Sequence, residues 1–83
     1  MTWSIAWSAV AERDLLAVPW RLAARVDAAV MALADGRKGE GTLERLTASD
    51  PHRLRLRLPG ANAFLWLDHS ERVVHVARVL RGS

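Results

Sequence analysis

The sequence predicts an α+β domain in which an N-terminal strand and a two-helix hairpin precede a mostly antiparallel sheet of three to four strands, in the order β-α-α-β-β-β. Three observations carry this. Apolar residues recur with period two at 3–7 and again at 53–58, as they do in strands that bury one face. Helical spacing fills the stretch between Ser8 and Gly36 and is broken once, at Pro19. The last third alternates Val- and Leu-rich runs with turn residues.

In chain order, Trp3, Ile5 and Trp7 alternate with Thr2, Ser4 and Ala6 to give the first strand. Ser8 then offers an N-cap to a helix with Glu12 and Asp14 on its early turns and Ala11, Leu15 and Val18 on its apolar stripe. Pro19 ends it and suits the first turn of a second helix, whose stripe is Leu22, Val26, Ala29, Val30 and Leu33. Asp35-Gly36 closes that helix, and residues 37–41 form a mobile polar loop. Residues 42–46 fit either a short strand or an extended connection, and 47–51 carry turn chemistry. The run 53–58 is a strand with Leu54, Leu56 and Leu58 on one side and Arg53, Arg55 and Arg57 on the other. Pro59-Gly60 connects it to 63–67, which is apolar on both faces and is therefore expected to be a central strand with Trp66 buried. Asp68 to Glu71 turns the chain into a last strand over 72–79.

Eighty-three residues suffice for a single domain, 1–83, near the lower limit for a core without covalent staples. With no cysteine, the chain has neither disulfides nor thiolate metal sites, and its four tryptophans are expected to contribute to the core. Charged residues interrupt every apolar stretch, so neither a membrane span nor a membrane partner is expected, and the cytoplasm is the expected location. The net charge of +3 is modest but unevenly spread: six arginines after His52 face only Asp68 and Glu71. An anionic partner is expected to meet this half. Three guanidiniums about 7 Å apart on one strand face match successive phosphates of an extended nucleic-acid strand. The bland alternative is a half-buried strand whose polar side is arginine. His52, His69 and His75 have no recognised ligand spacing, so no metal and no cofactor is expected.

A W-S-x-x-A-x-x-D-L-type opening, a helical hairpin divided by proline, the run G-T-L-E-R-L, and a basic alternating strand followed by two apolar strands resemble the RelE/ParE superfamily of bacterial toxins. The matching pieces are 3–16, 41–46, 52–58, 63–68 and 71–78, nearly the whole chain. The resemblance implies the same fold and a toxin neutralised by a cognate antitoxin protein. One branch acts on the ribosome and cleaves mRNA in the A site; the other poisons DNA gyrase. A member reduced to a non-toxic interaction module is a third reading.

By position, the resemblance makes Arg53 and Arg55 basic catalytic residues, with Arg78 and Arg81 near a functional arginine. Arg53, Arg55, Arg57 and Arg45 form the implied RNA-binding set. The family's Tyr-Arg pair is replaced by Ala61-Asn62, and the chain has no tyrosine. RNA cleavage requires proton removal from a ribose 2′-OH, stabilisation of a phosphorane and protonation of the 5′-oxygen. Arginine suits the second task and is a poor base. Strict alternation places His52 with Leu54, away from the arginines, unless a bulge at Pro51 reverses it. On sequence alone, an mRNA endoribonuclease here has a phosphate clamp and no evident proton-transfer partner.

Overall fold

A computed structural model describes residues 2–82. The elements are β1 (Ser4–Trp7), α1 (Ala9–Ala17), α2 (Trp20–Ala34), β2 (Thr42–Arg45), β3 (Arg53–Leu58), β4 (Ala61–Asp68) and β5 (Val73–Arg81). They form one five-stranded sheet, ordered β1-β5-β4-β3-β2, antiparallel except where β1 pairs with β5. The stretch at 42–46 that the sequence left open is a strand, paired through Thr42 with Arg57 and Glu44 with Arg55.

Both helices lie on one face of the sheet. Under them are Leu56 and Leu58 of β3, Ala61, Ala63 and Leu65 of β4, and Val74, Val76 and Val79 of β5, packed against Ala11, Val26, Ala29 and Val30, while Leu54 is buried on the same side of β3. The alternation in β3 is thus fully used, since one register slip would bury the arginines. Small Ala61 and Ala63 at the middle of the sheet let the helical layer approach closely.

The other face is uncovered, and this corrects the expectation for Trp66. It is 41% exposed although β4 is central as expected. An all-apolar strand does not itself say which side is covered; with one helical layer, Leu65 goes in and Trp66 goes out. Trp20 is 74% exposed, whereas Trp3 and Trp7 are partly buried against the core, which is built mainly from Val, Leu and Ala.

Two local devices fix the helices. Ser8 accepts from the Ala11 N–H at 2.9 Å as the N-cap of α1 and donates its own hydroxyl to the Ala77 carbonyl at 2.8 Å. At the end of α2, Gly36 has φ of 68° and donates to Leu33, while Arg37 donates to Ala32, the paired closure that a left-handed residue after the C-cap permits. The loop that follows is anchored: Glu40 pairs with Arg25 of α2. Gly41, at φ of 98°, lies so close to β3 that an added Cβ would stand 2.9 Å from the Arg57 carbonyl oxygen.

Where β1 ends, β5 continues, and its free edge is covered by α1. Ser8 donates its backbone N–H to the Val76 carbonyl, and Asp14 accepts from the Val79 N–H at 2.9 Å. An edge that would otherwise offer unpaired backbone groups to another chain is closed by the Ser8 N–H and hydroxyl and the Asp14 carboxylate.

Candidate functional site

The open face of the sheet gathers most of the residues singled out in the sequence. Register arranges them in three rows across β3, β4 and β5: Arg53, Trp66 and His75; then Arg55, Phe64 and Arg78; then Arg57, Asn62 and Leu80. Basic groups and aromatic rings are therefore neighbours on one platform.

Arg78 reaches this platform through a bulge. Phe64 pairs with Arg78 but Leu65 with Val76, so Ala77 is the extra residue on β5. Unbroken alternation from buried Val76 would send Arg78 into the core side; the bulge moves it to the open face and leaves Val79 to bury. Asp14 of α1 then holds the Arg78 guanidinium, with Nε at 2.9 Å and Nη2 at 3.3 Å. That hydrogen bond, reinforced by the Val79 N–H, keeps the Asp14 carboxyl below the usual carboxylate range and raises Arg78 in turn.

Each of the other three arginines also has a carboxylate beside it. Arg53 Nε meets Asp50 at 3.1 Å, and Glu44 of β2 serves both Arg55 at 3.3 Å and Arg57 at 3.4 Å. The platform is therefore close to neutral rather than strongly positive, a feature the charge count after His52 did not reveal. These pairs are exposed enough to be worth little, about 0–1 kcal/mol each, so an incoming phosphate can replace the carboxylates. Arg55 differs from the rest: it is half-buried at the middle of the face, and its Nε is buried with no acceptor among the described residues. An unmet buried donor costs about 1–3 kcal/mol. The Asn62 Oδ1 atom in the adjacent row is likewise buried without a donor among the described residues.

Two of the expected arginines are not in this cluster. Arg45 is in register with buried Leu54, and Arg81 with buried Ala61, so both belong to the helix side of the sheet, where they are exposed at its margins. Alternation counted along each strand contains this information once the pairing is known.

Shallow hollows lie at each end of the arginine row. One, of about 600 Å³, is bordered by His52, Arg53, Trp66, Asp68 and His69; the other, of about 590 Å³, by Gly41, Thr42, Arg57, Asn62 and Gly82. The first holds residues that the sequence set aside. His52 lies in the turn before β3, its carbonyl still accepting from the Leu67 N–H at 3.1 Å, and it borders the same hollow as Arg53. Its ring meets that of His69 at 5.2 Å, and His69 meets Trp3 edge-on at 5.2 Å. Trp66 lies flat on His75, with ring centroids 4.0 Å apart and planes within 4°. No local motif marks this grouping, which arises from two turns, at 50–52 and 68–71, brought together by β3–β4 pairing.

Among the described residues no cluster of His, Asp and Glu has the arrangement of a metal site, and no helix is long and apolar enough to cross a membrane.

With this geometry in view, comparison with known proteins is informative in one direction only. No family model and no curated protein matches the sequence. Among solved structures, the chain is similar to one in the crystal structure of the toxin-antitoxin complex RelBE2 from Mycobacterium tuberculosis, with a TM-score of 0.78 and 20% identity over 99% of this chain and 100% of that chain. The likeness covers every element and establishes a RelE-like fold.

Proposed function

We propose that this protein is the toxin of a type II toxin–antitoxin pair and that it inhibits translation by ribosome-associated cleavage of mRNA. The observation that carries this reading is the open sheet face, where Arg53, Arg55, Arg57 and Arg78 surround Phe64 and Trp66 on the side opposite the helices. The full-length likeness to a chain of a toxin–antitoxin complex supports it and supplies the expected partner, a cognate antitoxin.

In this reading the RNA backbone lies along β3. Arg53, Arg55 and Arg57 take successive phosphates by displacing Asp50 and Glu44, while exposed rings stack bases, as in sheet-surface RNA readers. At the scissile linkage the ribose 2′-OH gives its proton to water and its oxygen attacks phosphorus, while the bond to the 5′-oxygen breaks and water protonates the leaving oxygen. Charge accumulates on the non-bridging oxygens, and Arg55 and Arg78 flank Phe64 where forked donors would meet them. The antitoxin would occupy the same arginines with acidic side chains, which explains how one partner blocks the other.

One observation favours a second reading. Every arginine of the platform already has a carboxylate partner, and the chain has no tyrosine, so a ParE-like inhibitor of DNA gyrase, binding without catalysis, fits the same surface. Cell-free translation and gyrase supercoiling, run side by side with purified protein, separate the two. Inhibition of translation with cleaved mRNA is the expected result; inhibition of supercoiling alone would establish the second reading instead.

A further inference from the structure

We infer that the hollow between the turns at 50–52 and 68–71 is a nucleotide subsite, in which a base stacks on Trp66 and its 5′-phosphate is held by Arg53. The inference rests on the RNA-directed reading above and specifies where that RNA is gripped. Trp66 is 41% exposed on a face that no other element covers among the described residues, yet it is already ordered by lying flat on His75 at 4.0 Å. A ring fixed in this way needs no further ordering when a second planar group arrives on its free side.

The hollow it borders, of about 600 Å³, falls in the size range of small-molecule sites. Arg53 is an exposed cation at its rim, held among the described residues by Asp50 at 3.1 Å, and an exposed ion pair yields readily to an anionic phosphate oxygen. The rings of His52 and His69, 5.2 Å apart, offer nitrogen donors and acceptors to the sugar and base edge.

Both rims are braced before any ligand binds. Asp50 accepts from the His52 N–H at 3.0 Å, and Thr47 accepts from the Asp50 N–H at 3.1 Å. Across the hollow, Asp68 Oδ1 accepts from the Ser70 hydroxyl at 2.9 Å and from the N–H groups of Ser70 and Glu71, each at 3.1 Å. Asp68, across the hollow, repels a phosphate, and Arg53 is its place once Asp50 is displaced. From there the strand continues over Arg55 and Arg57 in steps of about 7 Å.

The test is titration of the isolated protein with AMP, ribose 5-phosphate and inorganic phosphate, followed by NMR of the indole N–H and imidazole resonances. AMP is expected to shift the Trp66, His52 and His69 signals and to bind roughly tenfold or more tightly than ribose 5-phosphate, the ratio that stacking of one base supplies. Trp66→Leu should lose that advantage and bind both ligands alike, with its thermal melt confirming the fold. Arg53→Gln should weaken both. Equal binding of AMP and ribose 5-phosphate by the wild type, or undiminished AMP binding by Trp66→Leu, would overturn the subsite. Translation measured on the same preparations separates the two proposals. Inhibition without AMP binding removes the subsite and keeps the RNA reading, whereas AMP binding without inhibition does the reverse.

Discussion

Arg55 is the least exposed of the four platform arginines. Its neighbours in sequence, Leu54 and Leu56, are buried, its register partner is Phe64, and Glu44 reaches only one of its terminal nitrogens. Replacing Arg53 and Arg55 together by Ala leaves the leucines in place and relieves the unmet Nε, so the melt should stay within about 1 kcal/mol of wild type. Leu54→Arg should unfold the domain by burying an unpaired charge, a loss of cooperative melting that circular dichroism would register. Trp66→Ala should cost about 1–2 kcal/mol, the loss of a partly exposed ring and its stack on His75, and remain folded. A loss of about 3–5 kcal/mol, the cost typical of a fully buried tryptophan, would contradict the open face. Trp66 also marks a limit of sequence reasoning. Periodicity identified its strand, but the choice of face depends on how many layers cover the sheet, which only the count of helices decides.

Among the elements, α1 carries more than its length suggests, because Ser8 and Asp14 both act on β5. Ser8→Ala removes the N-cap and the bond to Ala77 and should destabilise by about 1–2 kcal/mol, measured by denaturant unfolding. Ser8 was legible as a cap from its position before the helical stripe; its second role was not, since Ala77 lies 69 residues away. The same holds for Asp14, which reads as an ordinary early-turn acid and proves to position Arg78. The strands were legible to differing degrees for physical reasons. Six alternating residues announced β3 and its two faces, whereas four residues were too few to distinguish β2 from an extended connection, and the bulge in β5 has no Gly or Pro to signal it. His52 keeps the phase that alternation gives it, since its carbonyl accepts from the N–H of core-packed Leu67 at 3.1 Å, but Asp50 and Thr47 fold the preceding residues into a turn that sets its ring beside His69 at the end of the sheet.

For the whole molecule, the order of elements was legible because each local pattern agreed with the same two-layer arrangement, and the chemistry was less so because it is assembled across strands. Acid should expose this assembly. Asp14 (bonded to Arg78), Glu40 (to Arg25) and Asp68 (to Glu71 N–H and Ser70) all have folded-state pKa values lowered by those bonds. Their unfolded counterparts take up protons first as pH falls, so the stability they confer is complete above the ordinary carboxylate range of about 4 and drains away below it. Chemical denaturation from pH 7 to 2.5 should show this loss, and Asp14→Asn should make the curve flatter. The central claim, that the uncovered basic and aromatic face acts on RNA during translation, is tested most directly by cell-free protein synthesis with wild-type protein and the Arg53→Ala/Arg55→Ala double variant at equal concentration. Wild type should stop synthesis and leave mRNA cut within codons, while the folded double variant should cut at least about a hundredfold more slowly, as expected when donors to the developing phosphorane are removed. A wild-type protein that leaves synthesis untouched, or a double variant that inhibits as strongly as wild type, would contradict it.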